Sequence, residues 1–174
     1  MGYTSYLEKY EIIRVTPTLS TDAYAAGDVA FTATEIPNAV INEGGCSKII
    51  NCFVIDQDRD TFDLNLVFTE KNTALGTINA TADISDANMV LNKVTGITKL
   101  EGTAGNDGGD FDNFRIHRMI GASGANENMD NLTFIKAANG STSSYLHCHL
   151  TAVDGSTNPT FTASQLEIIL HIEY

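Results

Sequence analysis

The chain has no tryptophan among its 174 residues, only three cysteines, and 10 Lys plus Arg against 22 Asp plus Glu. Each shortage excludes something. Without Trp, aromatic platforms for stacking sugar rings have to come from six Tyr and eight Phe, which weakens a lectin reading. Cys46, Cys52 and Cys148 form an odd, sparse set, unlike the cysteine framework of a small secreted domain. They read as reduced, buried thiols. The deficit of basic residues leaves a formal net charge of −12, and a field of that sign repels phosphate backbones and anionic lipid head groups. Nucleic acid and membrane surfaces are therefore poor partners.

No stretch approaches the ~18 consecutive apolar residues of a membrane span. The opening, Met1-Gly2-Tyr3-Thr4-Ser5-Tyr6-Leu7-Glu8-Lys9, has neither the basic n-region nor the apolar h-region of a secretory signal. The expectation is a chain synthesised in a cytoplasm, in which the sequons at Asn79, Asn131 and Asn139 stay bare.

What is present is enough apolar residue to build a core: 43% hydrophobic against 18% charged. At this length the chain reads as one domain spanning 1–174, with 1–8 an extended N-terminal arm. The dominant period is two. Leu166, Ile168, Leu170 and Ile172 alternate with Glu167, Ile169, His171 and Glu173, which marks a strand with one apolar face. Tyr145–Thr151 repeats the pattern, with Leu146, Cys148 and Leu150 inward and Tyr145, His147 and His149 outward. Seven further runs read as strands: Tyr10–Val15, Val29–Thr34, Lys48–Ile55, Phe62–Thr69, Val94–Leu100, Phe114–Ile120 and Leu132–Ala137.

Nine strands separated by Gly, Asn, Asp and Ser clusters predict an all-β fold, an antiparallel β-sandwich of two packed sheets. One short helix is expected over Asp83–Leu91, capped by Ser85 or Asp83 and turning Met89 and Val90 to the core. A second helical turn is expected at Thr21–Ala26, ended by Gly27. Two polar stretches, Glu101–Asp110 and Gly121–Asn128, read as exposed loops with nothing to bury.

Few constellations carry chemistry. Asp56-Gln57-Asp58-Arg59-Asp60 opens like a calcium loop, but the sixth and twelfth positions, Gly and Glu in an EF-hand, are Thr61 and Val67. A charged hairpin turn between the flanking strands accounts for it better. His147 and His149 share one strand face and can chelate zinc if His117 or His171 supplies a third ligand. Solvent- or subunit-facing positions are the simpler reading. Cys46 and Cys52 are too far apart in sequence for a C-x-x-C pair. With no nucleophile elbow, Walker loop, dinucleotide fingerprint or zinc-protease motif, no catalytic, cofactor-binding or metal-binding residue is assigned, and no cofactor is expected.

One segment is more specific. Thr16-Pro17-Thr18-Leu19-Ser20-Thr21-Asp22-Ala23-Tyr24-Ala25-Ala26-Gly27-Asp28-Val29 resembles the opening "P-T-L-x-T-x-A-Y-A-x-G-D-V" of a family of small virion proteins of tailed bacteriophages. The likeness continues through Asn38-Ala39-Val40, Gly44-Gly45, Ile55–Asp58 and Phe62–Phe68. It extends to Ile84–Asn88, Asn139–Leu146 and Asn158–Ser164. It departs in the three cysteines and in Glu101–Asp110, which looks longer and richer in Gly and Asp.

The resemblance implies a jelly-roll-like capsid decoration, cement or knob protein on the virion surface. It would be a non-enzymatic homo-oligomer, expected as a homotrimer, bracing the major capsid protein. The alternative is a fibre or knob domain that binds host receptors or glycans. An enzymatic reading, such as a polysaccharide depolymerase, has no acid/base pair to name.

Overall fold

The protein is described from a computed structural model, which covers residues 10–83, 85–102, 109–119, 133–153, 158–162 and 165–174. Among the described residues, ten strands and one helix follow in order: β1 (Tyr10–Val15), β2 (Val29–Ile36), β3 (Cys46–Asp56), β4 (Phe62–Thr69), α1 (Asp86–Asn92), β5 (Val94–Glu101), β6 (Gly109–Asp110), β7 (Arg115–Met119), β8 (Thr133–Lys136), β9 (Ser144–Val153) and β10 (Leu166–Glu173). Every strand pairing is antiparallel. All nine predicted strands are present, and β6 is the addition. Among the described residues no helix is long and apolar enough to cross a membrane.

The hydrogen-bonded path runs β1-β10-β3-β7-β5-β4-β9-β2, with β8 also on β3 and β6 on β7. It is an all-β, jelly-roll-like fold. One layer is β1-β10-β3-β8 and the other β5-β4-β9-β2; β1 to β4 and β8 to β10 alternate between them, β5 stays in the layer of β4, and β6 and β7 lie at the join. The layers are continuous, because β7 pairs with β3 through Phe53–Asp56 and with β5 through Leu100 and Glu101. The expected two-sheet sandwich is thus a single curled sheet folded over its own core.

Alternation fills that core as the sequence pattern anticipates. Leu166, Ile168, Leu170 and Ile172 of β10 and Ile49, Cys52 and Val54 of β3 meet Leu64, Leu66 and Phe68 of β4 and Leu146, Cys148 and Leu150 of β9 in one buried cluster. A buried Leu or Phe contributes about 1.5–3 kcal/mol relative to exposure, so this cluster dominates stability. On the β7 side the layers interlock. Gly96 of β5 lies so close to β8 that an added Cβ would sit 2.3 Å from Thr133 Cγ2, and Thr98 shares a 2.6 Å hydrogen bond with the Thr133 hydroxyl.

Four local expectations need correction. β3 and β4 lie in different layers, so Asp56–Thr61 is a crossover and not a hairpin. The helix starts at Asp86 with Ser85 as its cap, accepting from the Asn88 N–H, but its buried residue is Asn92. Val90 is 77% exposed, because the Asn92 amide donates to Thr73 O and its oxygen accepts from the Thr73 N–H, turning that side inward. Residues 21–26 form bends and turns rather than a helical turn. Finally, Glu101–Asp110 is not wholly loop, since Glu101 ends β5, Gly102 is buried, and Gly109–Asp110 pair with β7 as β6. The N-terminal arm 1–8, residues 103–108 and the Gly121–Asn128 loop lie outside the described residues.

Candidate functional site

The segment that carries the family resemblance is built as a brace between β1 and β2. Pro17 and Leu19 are buried, and Tyr24 is fully so. Its hydroxyl accepts from the Ser20 N–H at 2.7 Å and donates to Ala30 O at 3.2 Å, meeting the need of a buried phenol for partners. Asp28 accepts from the Ala25 N–H, and the Gly27 N–H reaches Leu150 O. Gly27 has φ +90°, a conformation open to glycine and strained for other residues. Pro17, Leu19, Tyr24, Gly27 and Asp28 of the motif thus turn the chain and seat it on the core.

The Asp56–Asp60 crossover is likewise committed to scaffolding. Asp56 is fully buried; its Oδ1 accepts from the Asp58 N–H and its Oδ2 from the Asp60 N–H. Asp58 and Asp60 then accept from the Thr162 and Thr160 N–H groups at 3.0 and 2.9 Å. Asp58 and Asp60, positioned by Asp56, clamp residues 158–162 across the end of the sandwich, and Phe161 between the two threonines plugs the core. Its ring lies 5.3 Å from Tyr24 and 5.4 Å from Phe62, and Phe62 stacks on His117 at 4.1 Å. Asp60 is pushed up to about 6, first by burial and then by the neighbouring Asp56 and Asp58 charges, against the hydrogen bond from Thr160.

His117 completes this end. Its Nδ1–H donates to Phe62 O at 3.1 Å, and its Nε2, without a hydrogen-bond partner, lies 3.8 Å from Asp56 Oδ2. Gly102 lies against the ring: an added Cβ would sit 1.9 Å from Nδ1. Arg115 donates to Thr61 Oγ1 and Gly102 O, and approaches Asp110, which also takes a two-pronged contact from Arg59 at 2.6 and 3.1 Å. These contacts hold the Asp110 carboxyl below its usual range, the Arg59 hydrogen bond most of all.

The histidines do not converge. His147 is 2% exposed, not solvent-facing, because residues 69–75 cover that face of β9. Its Nδ1 accepts from the Ala33 N–H at 2.9 Å, and its Nε2 lies 3.1 Å from Thr69 Oγ1. A backbone N–H can only donate, so Nδ1 holds the lone pair and Nε2 the proton. Burial lowers His147 to about 4. His149 contacts Asn65 at 3.3 Å and is also lowered by burial, while His171 packs edge-on to Phe53. Among the described residues no three His, Cys, Asp or Glu side chains are placed to hold a metal.

Cys52 and Cys148 are buried free thiols, pushed up by burial, whereas Cys46 is exposed at the start of β3, contrary to the expectation for all three. Sequence reasoning missed Gly102, Ala33 and Arg115, whose roles depend on neighbours distant in the chain and leave no local pattern. The remaining surface relief includes an open depression of about 210 Å³ on the outer face of the first layer, lined by Cys46, Lys48, Phe134, Glu173 and Tyr174. A second, of about 200 Å³, lies beside Glu70 and Tyr145; burial disfavours the Glu70 charge, but hydrogen bonds from Lys136 and Lys93 outweigh it and lower the carboxyl. Compared with protein-family models, curated proteins and solved structures, the chain finds no match in any of the three.

Proposed function

We propose that this is a structural protein of a phage virion, a non-enzymatic decoration or cement protein that braces the major capsid subunits as a homo-oligomer. The observation that carries the reading is how the polar groups are used. Asp56, Asp58, Asp60, Asp110, His117 and His147 all point into internal contacts that hold the ends and edges of the jelly roll. Large apolar side chains, by contrast, stand exposed on its outside: Tyr10, Ile12, Phe134 and Ile97 are each more than half exposed. A rigid shell with adhesive outer faces suits contact with other proteins. Repetition over a lattice lets each contact be modest. A jelly roll by itself hosts many functions, lectins and capsid proteins among them. The resemblance of Thr16–Val29 and the segments after it supplies the choice between them.

Gel densitometry of purified virions tests this. A cement protein is expected in copy numbers comparable to the major capsid protein. A few copies per particle transfer the chain to the fibre-tip alternative, and absence from the particle removes both.

A further inference from the structure

We propose that β1 is a docking edge for a second copy of this chain, the two β1 strands pairing antiparallel across a twofold axis. The two outer edges of the curled sheet are treated differently. β2, at one end, has two register breaks against β9 and is covered by the chain that follows β4. Val29 exchanges hydrogen bonds with Asn79 and Ala80, Leu75 N–H donates to Thr32 Oγ1, and Asp28 and Val29 bridge to Thr81 and Ile78. β1, at the other end, keeps unbroken register with β10 over all six residues. Its far side has no backbone partner among the described residues. Bulges and coverings are two of the ways edges are protected from pairing, and among the described residues β1 shows neither.

The side chains of β1 favour the same occupant. Tyr10 and Ile12 are 59% and 60% exposed on its outward face. A copy of a chain with net charge −12 is repelled over most of its own surface, but around β1 the charges nearly balance. Arg14 pairs with Glu167 at 2.9 Å and Lys48 with Glu173 at 2.5 Å, which leaves Glu11, whose carboxylate accepts from the Tyr174 hydroxyl. A twofold axis through Ile12 sets Ile12 against its own copy and Tyr10 against the partner's Arg14, an apolar pair flanked by two cation–aromatic contacts. The five residues Tyr10–Arg14 that this axis pairs make a small interface beside the roughly 1,200–2,000 Å² of a stable dimer. The pairing is therefore a weak one in solution, and its usefulness on a particle, where copies are concentrated, rests on the virion reading.

Sedimentation velocity on the full chain, from low to several hundred micromolar, tests the edge itself. The weight-average mass is expected to rise toward twofold, with β1 amides gaining hydrogen-exchange protection over the same range. Ile12→Lys is expected to stay monomeric, while Val90→Lys, on the exposed face of α1, associates as the parent does. A parent that stays monomeric throughout, or an Ile12→Lys variant that associates equally well, overturns the proposal. Copy number per virion is a separate measurement, so failure of the edge and failure of the virion reading are told apart.

Discussion

The backbone N–H of Ala33 points at Nδ1 of His147 from 2.9 Å away. Ala33 reaches that position with φ 40°, in the left-handed region that L-residues rarely enter, where β2 breaks register with β9. The bulge turns one N–H out of the ladder and onto the imidazole, and so fixes the neutral tautomer. Protonating Nδ1 would set two N–H groups against each other inside the fold.

The stability consequence has a definite sign. His147 is lowered to about 4 in the folded protein, against an unfolded value near 6.5. The unfolded chain therefore binds the extra proton first as pH falls. The contribution is fully present above about pH 6.5 and is lost on acidification toward pH 4, up to about 3 kcal/mol from this group. His147→Gln is expected to be about 1–3 kcal/mol less stable at pH 7 and to show a shallower decline over that window. Urea unfolding of both proteins at a series of pH values checks this; parallel pH profiles would refute it.

Asp60 runs the other way. Its folded value, raised to about 6 against an unfolded value near 3.9, means that ionisation costs stability in full above pH 6 and that the cost is relieved as pH falls from 6 toward 4. Asp60→Asn keeps an oxygen for the Thr160 N–H while removing the charge. The variant is expected to be more stable than the parent at pH 8, by about 1 kcal/mol after screening by the half-open surroundings. Near pH 3.5, below both values, the two should melt together. An equal gain at both pH values would show that the Asp60 charge, half-buried and beside Asp56 and Asp58, is not the cause.

Thiol reactivity should separate the cysteines. Cys46 is exposed, while Cys52 and Cys148 lie in the core with thiols pushed up by burial. Only the thiolate attacks a disulfide reagent, so the native protein is expected to titrate a single thiol quickly and the other two only on unfolding. Fast reaction of all three would mean the core opens on the timescale of the assay.

Alternation made the strands legible. Tyr10–Val15 and Phe62–Thr69 have the boundaries that their residue pattern predicts, and the inward set of β9 is Leu146, Cys148 and Leu150 as expected. Period two says which residues share a face but not what covers that face. His147 is buried because residues 69–75 fold over it, and nothing near position 147 encodes that. The Asp56–Asp60 run was readable as a turn rich in local hydrogen bonds, but not as a clamp on Thr160 and Thr162, about a hundred residues further along. Cys46 looked like Cys52 by composition and differs from it because it stands on the outward side at the start of its strand.

The stretch from Glu101 to Asp110 divides most sharply, and its two parts are expected to respond differently to change. Gly102 has no room for a side chain: a Cβ would lie 1.9 Å from His117 Nδ1 and 2.8 Å from Phe62 O. The backbone oxygen cannot yield, and the imidazole is held between Phe62 and Asp56. Gly102→Ala is therefore expected to cost roughly 1–3 kcal/mol, the usual range for overpacking. Asp110 anchors the other end through Arg59 and Arg115. Replacing only 103–108 with a Gly/Ser segment of equal length should leave the melting temperature unchanged, while replacing all of 101–110 should lower it. If the virion reading holds, the shorter replacement is also where attachment to particles changes without loss of folding. Co-sedimentation with capsids, alongside thermal unfolding, reads both effects. A large drop in melting temperature from replacing 103–108 alone would mean that this segment, too, is part of the scaffold.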